Sequence, residues 1–131
     1  MANILLIEDS VMVQQIVKTV LEGKGHRLWV SGKVGTSLSR IETARIDLIL
    51  MDLNLPDARG EDAIRAIRQH LKLETPIIVL SGEIKIETVV ALKPLGVSGF
   101  IAKADDFVER LNEEVNKALG LVSDISDDLP V

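Results

Sequence analysis

The 131-residue chain contains no cysteine and no tyrosine, and its aromatic residues are Trp29, Phe100 and Phe107 alone. Without cysteine there are no disulfides, no thiolate metal sites and no cysteine nucleophile. With so few rings there is no platform on which bases or sugars could stack, and nothing to flank a flavin. The core must therefore be aliphatic. Cations are also in short supply, with 15 Lys and Arg against 20 Asp and Glu and a formal net charge of −5. A nucleic-acid surface needs clustered Lys and Arg, so direct nucleic-acid binding is not expected. No apolar run approaches the roughly 18 residues of a membrane span. The first run, residues 4–7, meets Glu8 at once, unlike the apolar stretch of a signal peptide. A single cytoplasmic domain, free of the membrane, is the expectation.

What the chain does have is five short apolar runs, at residues 4–7, 28–30, 48–51, 77–80 and 99–102. Most are continuous rather than alternating, which suits strands covered on both faces. The run at Leu28, Trp29 and Val30 has the most polar flanks and is placed at a sheet edge. Between the runs the apolar period is near 3.6. Val13, Ile16, Val17, Val20 and Leu21 form one helical stripe, with Ser10 as its cap and Gly23 as its terminator. Ala63, Ile64 and Ile67 mark a helix running to about His70, and Ile86, Val89 and Val90 mark another. Asp106 with Glu109 reads as a capping box ahead of the stripe Phe107, Leu111, Val115, Ala118 and Leu119. Residues 36–45 are the weakest segment, with only Leu38 and Ile41 to bury. Strand and helix alternate five times, which predicts a parallel sheet between two helical layers. The domain is placed at 1–120, and the acidic stretch 121–131 is read as a solvated tail or a linker stub.

Two of the runs end on acids. Residues 48–51 lead directly to Asp52, with Pro56 and Asp57 beyond, and residues 4–7 lead to Glu8 and Asp9. In an open α/β sheet the strand ends share one rim, where ligands bind. If the first and third strands are neighbours, about 4.8 Å apart, Glu8, Asp9 and Asp52 meet there. Carboxylates that close repel, and one is expected to hold its proton unless a cation relieves the strain. Mg²⁺, with its oxygen ligands and retained waters, suits such a trio. The fourth strand delivers Ser81 and the fifth Lys103 to the same rim, a hydroxyl donor and a counter-charge for a phosphoryl group. Asp52 would be the nucleophile.

In types and order, Glu8 and Asp9, Asp52, Ser81 and Lys103 resemble the receiver domain of two-component response regulators, over nearly all of residues 4–119. The resemblance implies a flavodoxin-like, doubly wound (βα)₅ fold, three layers deep, with strand order 2-1-3-4-5; a chemotaxis regulator of this family is a standard example of that order. It implies that Asp52 is the phosphoacceptor, assisted by Ser81 and Lys103. Mg²⁺ would be held by Glu8, Asp9, Asp52 and the backbone carbonyl of Asn54. Ser81 and Phe100 would be the switch residues, reshaping the face of the fourth helix, fifth strand and fifth helix. The implied partners are a histidine kinase or histidine phosphotransfer protein and a downstream protein or fused output domain; a phosphorylation-dependent dimer is compatible. Such a chain promotes its own phosphotransfer and dephosphorylation and is not an enzyme in the turnover sense.

Four positions depart from the family pattern. Glu8 replaces the commoner Asp, Phe100 lacks a Tyr hydroxyl, and Pro94 should shorten or kink the fourth helix. Ala104 stands where Pro usually follows the Lys across a cis bond. A cis Lys103–Ala104 bond would cost roughly 2.5–4 kcal/mol, so either that strain is kept or the loop is rebuilt.

The same residues bear on two rival functions. A haloacid-dehalogenase-type Mg²⁺ phosphatase would need an acid where Asn54 stands, and its nucleophile follows the first strand. A pseudo-receiver interaction module would carry no phosphate at all. His26 and His70 lack ligand partners. Gly32-Lys33 lacks the glycine and Ser/Thr of a phosphate loop.

Overall fold

A computed structural model describes residues 1–121. Five parallel strands, β1 (Asn3–Ile7), β2 (Arg27–Ser31), β3 (Leu48–Asp52), β4 (Ile77–Ser81) and β5 (Val97–Ala102), lie in the order β2-β1-β3-β4-β5. The helices between them are α1 (Val11–Gly23), α2 (Val34–Thr43), α3 (Gly60–Arg65), α4 (Ile86–Leu92) and α5 (Phe107–Leu119). This is the doubly wound flavodoxin-like fold, with β2 at the edge.

The continuous apolar runs separate into two cores by strand alternation. Ile4, Leu6, Leu48, Leu50, Ile78, Leu80 and Ile101 meet Val13, Val17 and Leu21 of α1 and Phe107, Leu111 and Val115 of α5. Leu5, Ile7, Ile49, Met51, Ile77, Val79 and Val97 meet α2, α3 and α4 through residues such as Val34, Ile41, Ile64, Ile67 and Leu92.

Several helix ends differ from the sequence reading. Ser10 does cap α1, its Oγ accepting from the Val13 N–H. Gly23, however, stays helical, and it is Gly25 that takes the left-handed conformation, at φ +88°. The α5 capping box does not form: Asp106 makes no side-chain bond to the helix, and the Phe107 N–H goes instead to the Ala104 carbonyl. α3 continues to His70 through a widened turn at Ala66–His70, closed by the Leu71 N–H on the Ala66 carbonyl. Pro94 ends α4 as expected; a tight turn, Lys93–Leu95, leads to Gly96 at φ +80°. α2 starts two residues before the segment read from sequence. The stretch from residue 122 onward, most of the sequence-read tail, lies outside the described residues.

One glycine is demanded by space. The Gly60 N–H bonds the Leu53 carbonyl at 3.0 Å, and a Cβ on Gly60 would stand 2.7 Å from the Leu53 Cα and 3.0 Å from the Asp52 carbonyl oxygen. Backbone cannot yield as a side chain can, so Gly60→Ala should cost about 1–3 kcal/mol in urea melts. Gly23→Ala, with nothing within 4 Å of the added Cβ, should be neutral or slightly stabilising.

Candidate functional site

Because β1 and β3 pair directly, with Ile7 opposite Met51, the residues that follow them converge. Glu8, Asp9 and Asp52 each place a carboxylate oxygen within 4.8 Å of the others. Glu8 and Asp52 are buried and Asp9 is exposed. Lys103, just beyond β5, reaches over β4 to both buried acids, its Nζ lying 2.7 Å from Glu8 Oε1 and 3.0 Å from Asp52 Oδ2. The remaining oxygens take backbone donors. The Ser10 N–H bonds Glu8 Oε2 at 3.0 Å and the Asn54 N–H bonds Asp52 Oδ1 at 3.0 Å. Gln14, which the sequence reading missed, donates Nε2 to the Glu8 carbonyl at 2.6 Å.

Burial pushes the Glu8 carboxyl up. The Lys103 hydrogen bond and the Ser10 amide oppose this, while the negative charge of Asp52 adds to it. For Lys103 burial works downward, but the hydrogen bonds and charges of Glu8 and Asp52 outweigh it and hold the ammonium above its ordinary range.

Glu8 Oε1 provides a test of whether a cation fits. It is fully buried and faces the Lys103 ammonium at 2.7 Å. Three carboxylates grouped around a single ammonium, open to water at Asp9, make a set of oxygen donors that fits a hard divalent ion.

The other expected residues stand at the same rim in different states. The Ser81 hydroxyl donates to the Glu83 carbonyl at 2.9 Å, within its own loop, while the Ser81 carbonyl accepts from the Lys103 N–H at 2.8 Å. Phe100 is half-buried against the core beneath α4. The loop after Lys103 is rebuilt: no described peptide bond is cis, and the Ala104 N–H, which a proline would lack, bonds the Ala102 carbonyl at 2.9 Å. His26 sits at the opposite end of the sheet, its Nδ1 accepting from the Ala2 N–H, and His70 is exposed; neither approaches the acids.

The model of the response regulator receiver domain matches residues 4–115. The chain belongs to that family. Among curated relatives this receiver is 34% identical over 123 residues to the cell cycle transcriptional regulator CtrA of Caulobacter vibrioides, covering 90% of this chain and 52% of CtrA. The chain spans about half the length of the curated relatives it matches. Among solved structures it superimposes on the chemotaxis response regulator CheY4 of Vibrio cholerae with TM-score 0.82 at 28% identity, over 91% of this chain and 99% of CheY4. The Mn²⁺-bound response regulator Rcp1 gives TM-score 0.82 at 26% identity over the full length of both chains. Among the described residues no helix is long and apolar enough to cross a membrane.

Proposed function

We propose that this receiver accepts a phosphoryl group on Asp52 from the phosphohistidine of a histidine kinase or histidine phosphotransfer protein. The observation that carries this reading is the grouping of buried Asp52 with Glu8 and Asp9 on one side and the Lys103 ammonium at 3.0 Å on the other. An Asp52 oxygen attacks phosphorus in line, the bond from phosphorus to the donor nitrogen breaks, and the imidazole leaves with that electron pair. Glu8, Asp9, Asp52 and the backbone carbonyl of Asn54 would hold Mg²⁺. Bound there, Mg²⁺ neutralises phosphoryl oxygens; the Mn²⁺ in Rcp1 supports a divalent ion in this fold.

Lys103 supplies the fixed counter-charge and limits Asp52 to a narrow range of positions. The Ser81 hydroxyl leaves the Glu83 carbonyl to donate to a phosphoryl oxygen, and Phe100 turns into the space this opens. The α4–β5–α5 face is thereby reshaped for a downstream protein or a fused output domain, as the transcriptional role named for CtrA supports. Residues 1–120 form the receiver in this reading, acting in the cytoplasm.

Incubation with acetyl phosphate and Mg²⁺, followed by intact-mass measurement, tests the reading. The expected result is a gain of one phosphoryl group, suppressed by EDTA. No gain by the folded protein would leave a pseudo-receiver. Sustained turnover of a generic phosphate ester would favour the dehalogenase-type phosphatase.

A further inference from the structure

The loop between β3 and α3 holds a carboxylate that the phosphotransfer chemistry does not use. Asp57 Oδ1 accepts the Val34 N–H at 3.0 Å and its Oδ2 accepts the Gly35 N–H at 3.1 Å, the first two amides of α2. Lys33, at the cap position of α2, gives the helix no side-chain bond. The cap comes instead from a residue 22 and 23 positions away, in a different loop. Those two amides hold the Asp57 carboxyl below its ordinary range although the residue is exposed.

The two loops that this carboxylate joins both border the acid cluster. The β3–α3 loop is closed at its base by the Gly60 N–H on the Leu53 carbonyl and by an antiparallel bridge between Asn54 and Arg59. Asn54 is thus part of that closure, and the Asp57 tether holds the tip of the same loop. The loop leading into α2 backs the other acids. The Ser31 carbonyl accepts the Glu8 N–H at 2.9 Å, and a Cβ at Gly32 would stand 3.8 Å from the Asp9 Cα.

We propose that Asp57 is a positioning residue for the divalent-cation site: by pinning the Asn54 loop to the N-terminus of α2 it fixes the Asn54 carbonyl relative to Glu8 and Asp9. This rests on the metal reading above. Groups that orient metal ligands without touching the metal commonly set affinity, and coupling of this kind is reciprocal. Mg²⁺ should therefore increase hydrogen-exchange protection of the Val34 and Gly35 amides.

The test titrates MgCl₂ calorimetrically into wild type, Asp57→Ala, Asp57→Asn, and Asp57→Ala combined with Lys33→Ser, with Lys33→Ser alone as baseline. Asp57→Ala should weaken Mg²⁺ binding about three- to tenfold, below the usual range for groups bonded directly to a ligand. Asp57→Asn, keeping one acceptor oxygen, should fall between. Ser at position 33, whose backbone is already extended at φ −139° and ψ 146°, can cap α2 locally. It should recover the melting temperature lost in Asp57→Ala without recovering Mg²⁺ affinity, because it does not rejoin the loops. The Mg²⁺-dependent protection at Val34 and Gly35 should be absent from Asp57→Ala whether or not the new cap forms. Unchanged affinity in Asp57→Ala, affinity restored by Lys33→Ser, or protection that persists without Asp57 would overturn the proposal. Failure of wild type itself to bind Mg²⁺ would instead remove the metal site on which it rests.

Discussion

Asp52→Asn should take up no phosphoryl group from acetyl phosphate and Mg²⁺, while keeping its fold. A carboxamide has the same shape but no lone pair nucleophilic enough to attack phosphorus, so the loss is complete rather than graded. Three local effects decide stability. The amide oxygen can still accept the Asn54 N–H, now bonded to Oδ1 at 3.0 Å. Lys103 loses its partner at 3.0 Å but keeps Glu8 at 2.7 Å. The negative charge that adds to the burial penalty on Glu8 disappears. The second and third effects oppose each other, so unfolding free energy should stay within about 1 kcal/mol of wild type. Mass spectrometry and urea melts on the same sample check both halves. A variant that still gains a phosphoryl group would place the acceptor elsewhere in the cluster, and one that fails to fold would show that Asp52 is structural first.

The parts of this molecule that were legible in its sequence are those with a local physical signature. A strand buried on both faces must be apolar throughout, and the runs at Leu48–Asp52 and Ile77–Ser81 are buried at every position. The polar flanks of β2 gave away its place at the edge. An acid closing an apolar run has no reason to be there unless the rim uses it, which is why Glu8 and Asp52 could be paired before their strands were seen side by side. The helix ends were less readable because their donors have competing partners. The Asp106 side chain leaves α5 uncapped while the Ala104 carbonyl, two residues upstream, takes the first amide. Nothing local announces Asp57. Pro56-Asp57 reads as an ordinary turn, and its role depends on α2 arriving beside it. Likewise Arg68 stitches the end of α3 to the carbonyls of Leu73, Leu95 and Gly96, contacts that only the tertiary fold creates.

Lys103→Met should destabilise the fold by about 2–3 kcal/mol near neutral pH, with the deficit growing as pH rises. Removing one partner of a fully buried pair costs about 3–5 kcal/mol, and the lower figure reflects a lysine side chain that is 23% exposed. The pH dependence follows from Glu8. Its carboxyl is raised above the ordinary 4.5 by burial, against the pull of Lys103. Between 4.5 and that raised value the folded chain keeps a proton that the unfolded chain has released, so stability falls as pH climbs through this window. Lys103 is raised above 10.5 in the fold, so its favourable contribution is fully present below 10.5 and is lost only at higher pH, leaving the slope near neutrality to Glu8. Without the ammonium, the upper end of the Glu8 window moves higher. The gap between variant and wild type should therefore be smallest below pH 4.5, where Glu8 is protonated in folded and unfolded chains alike, and should widen as pH rises above it. Mg²⁺ should raise the melting temperature of Lys103→Met more than that of wild type, since a cation among the same carboxylates replaces the missing charge. Urea melts at several pH values, with and without Mg²⁺, separate this from simple packing loss. A deficit independent of pH and of Mg²⁺ would mean that Lys103 matters for its aliphatic stem and not for its hold on Glu8 and Asp52.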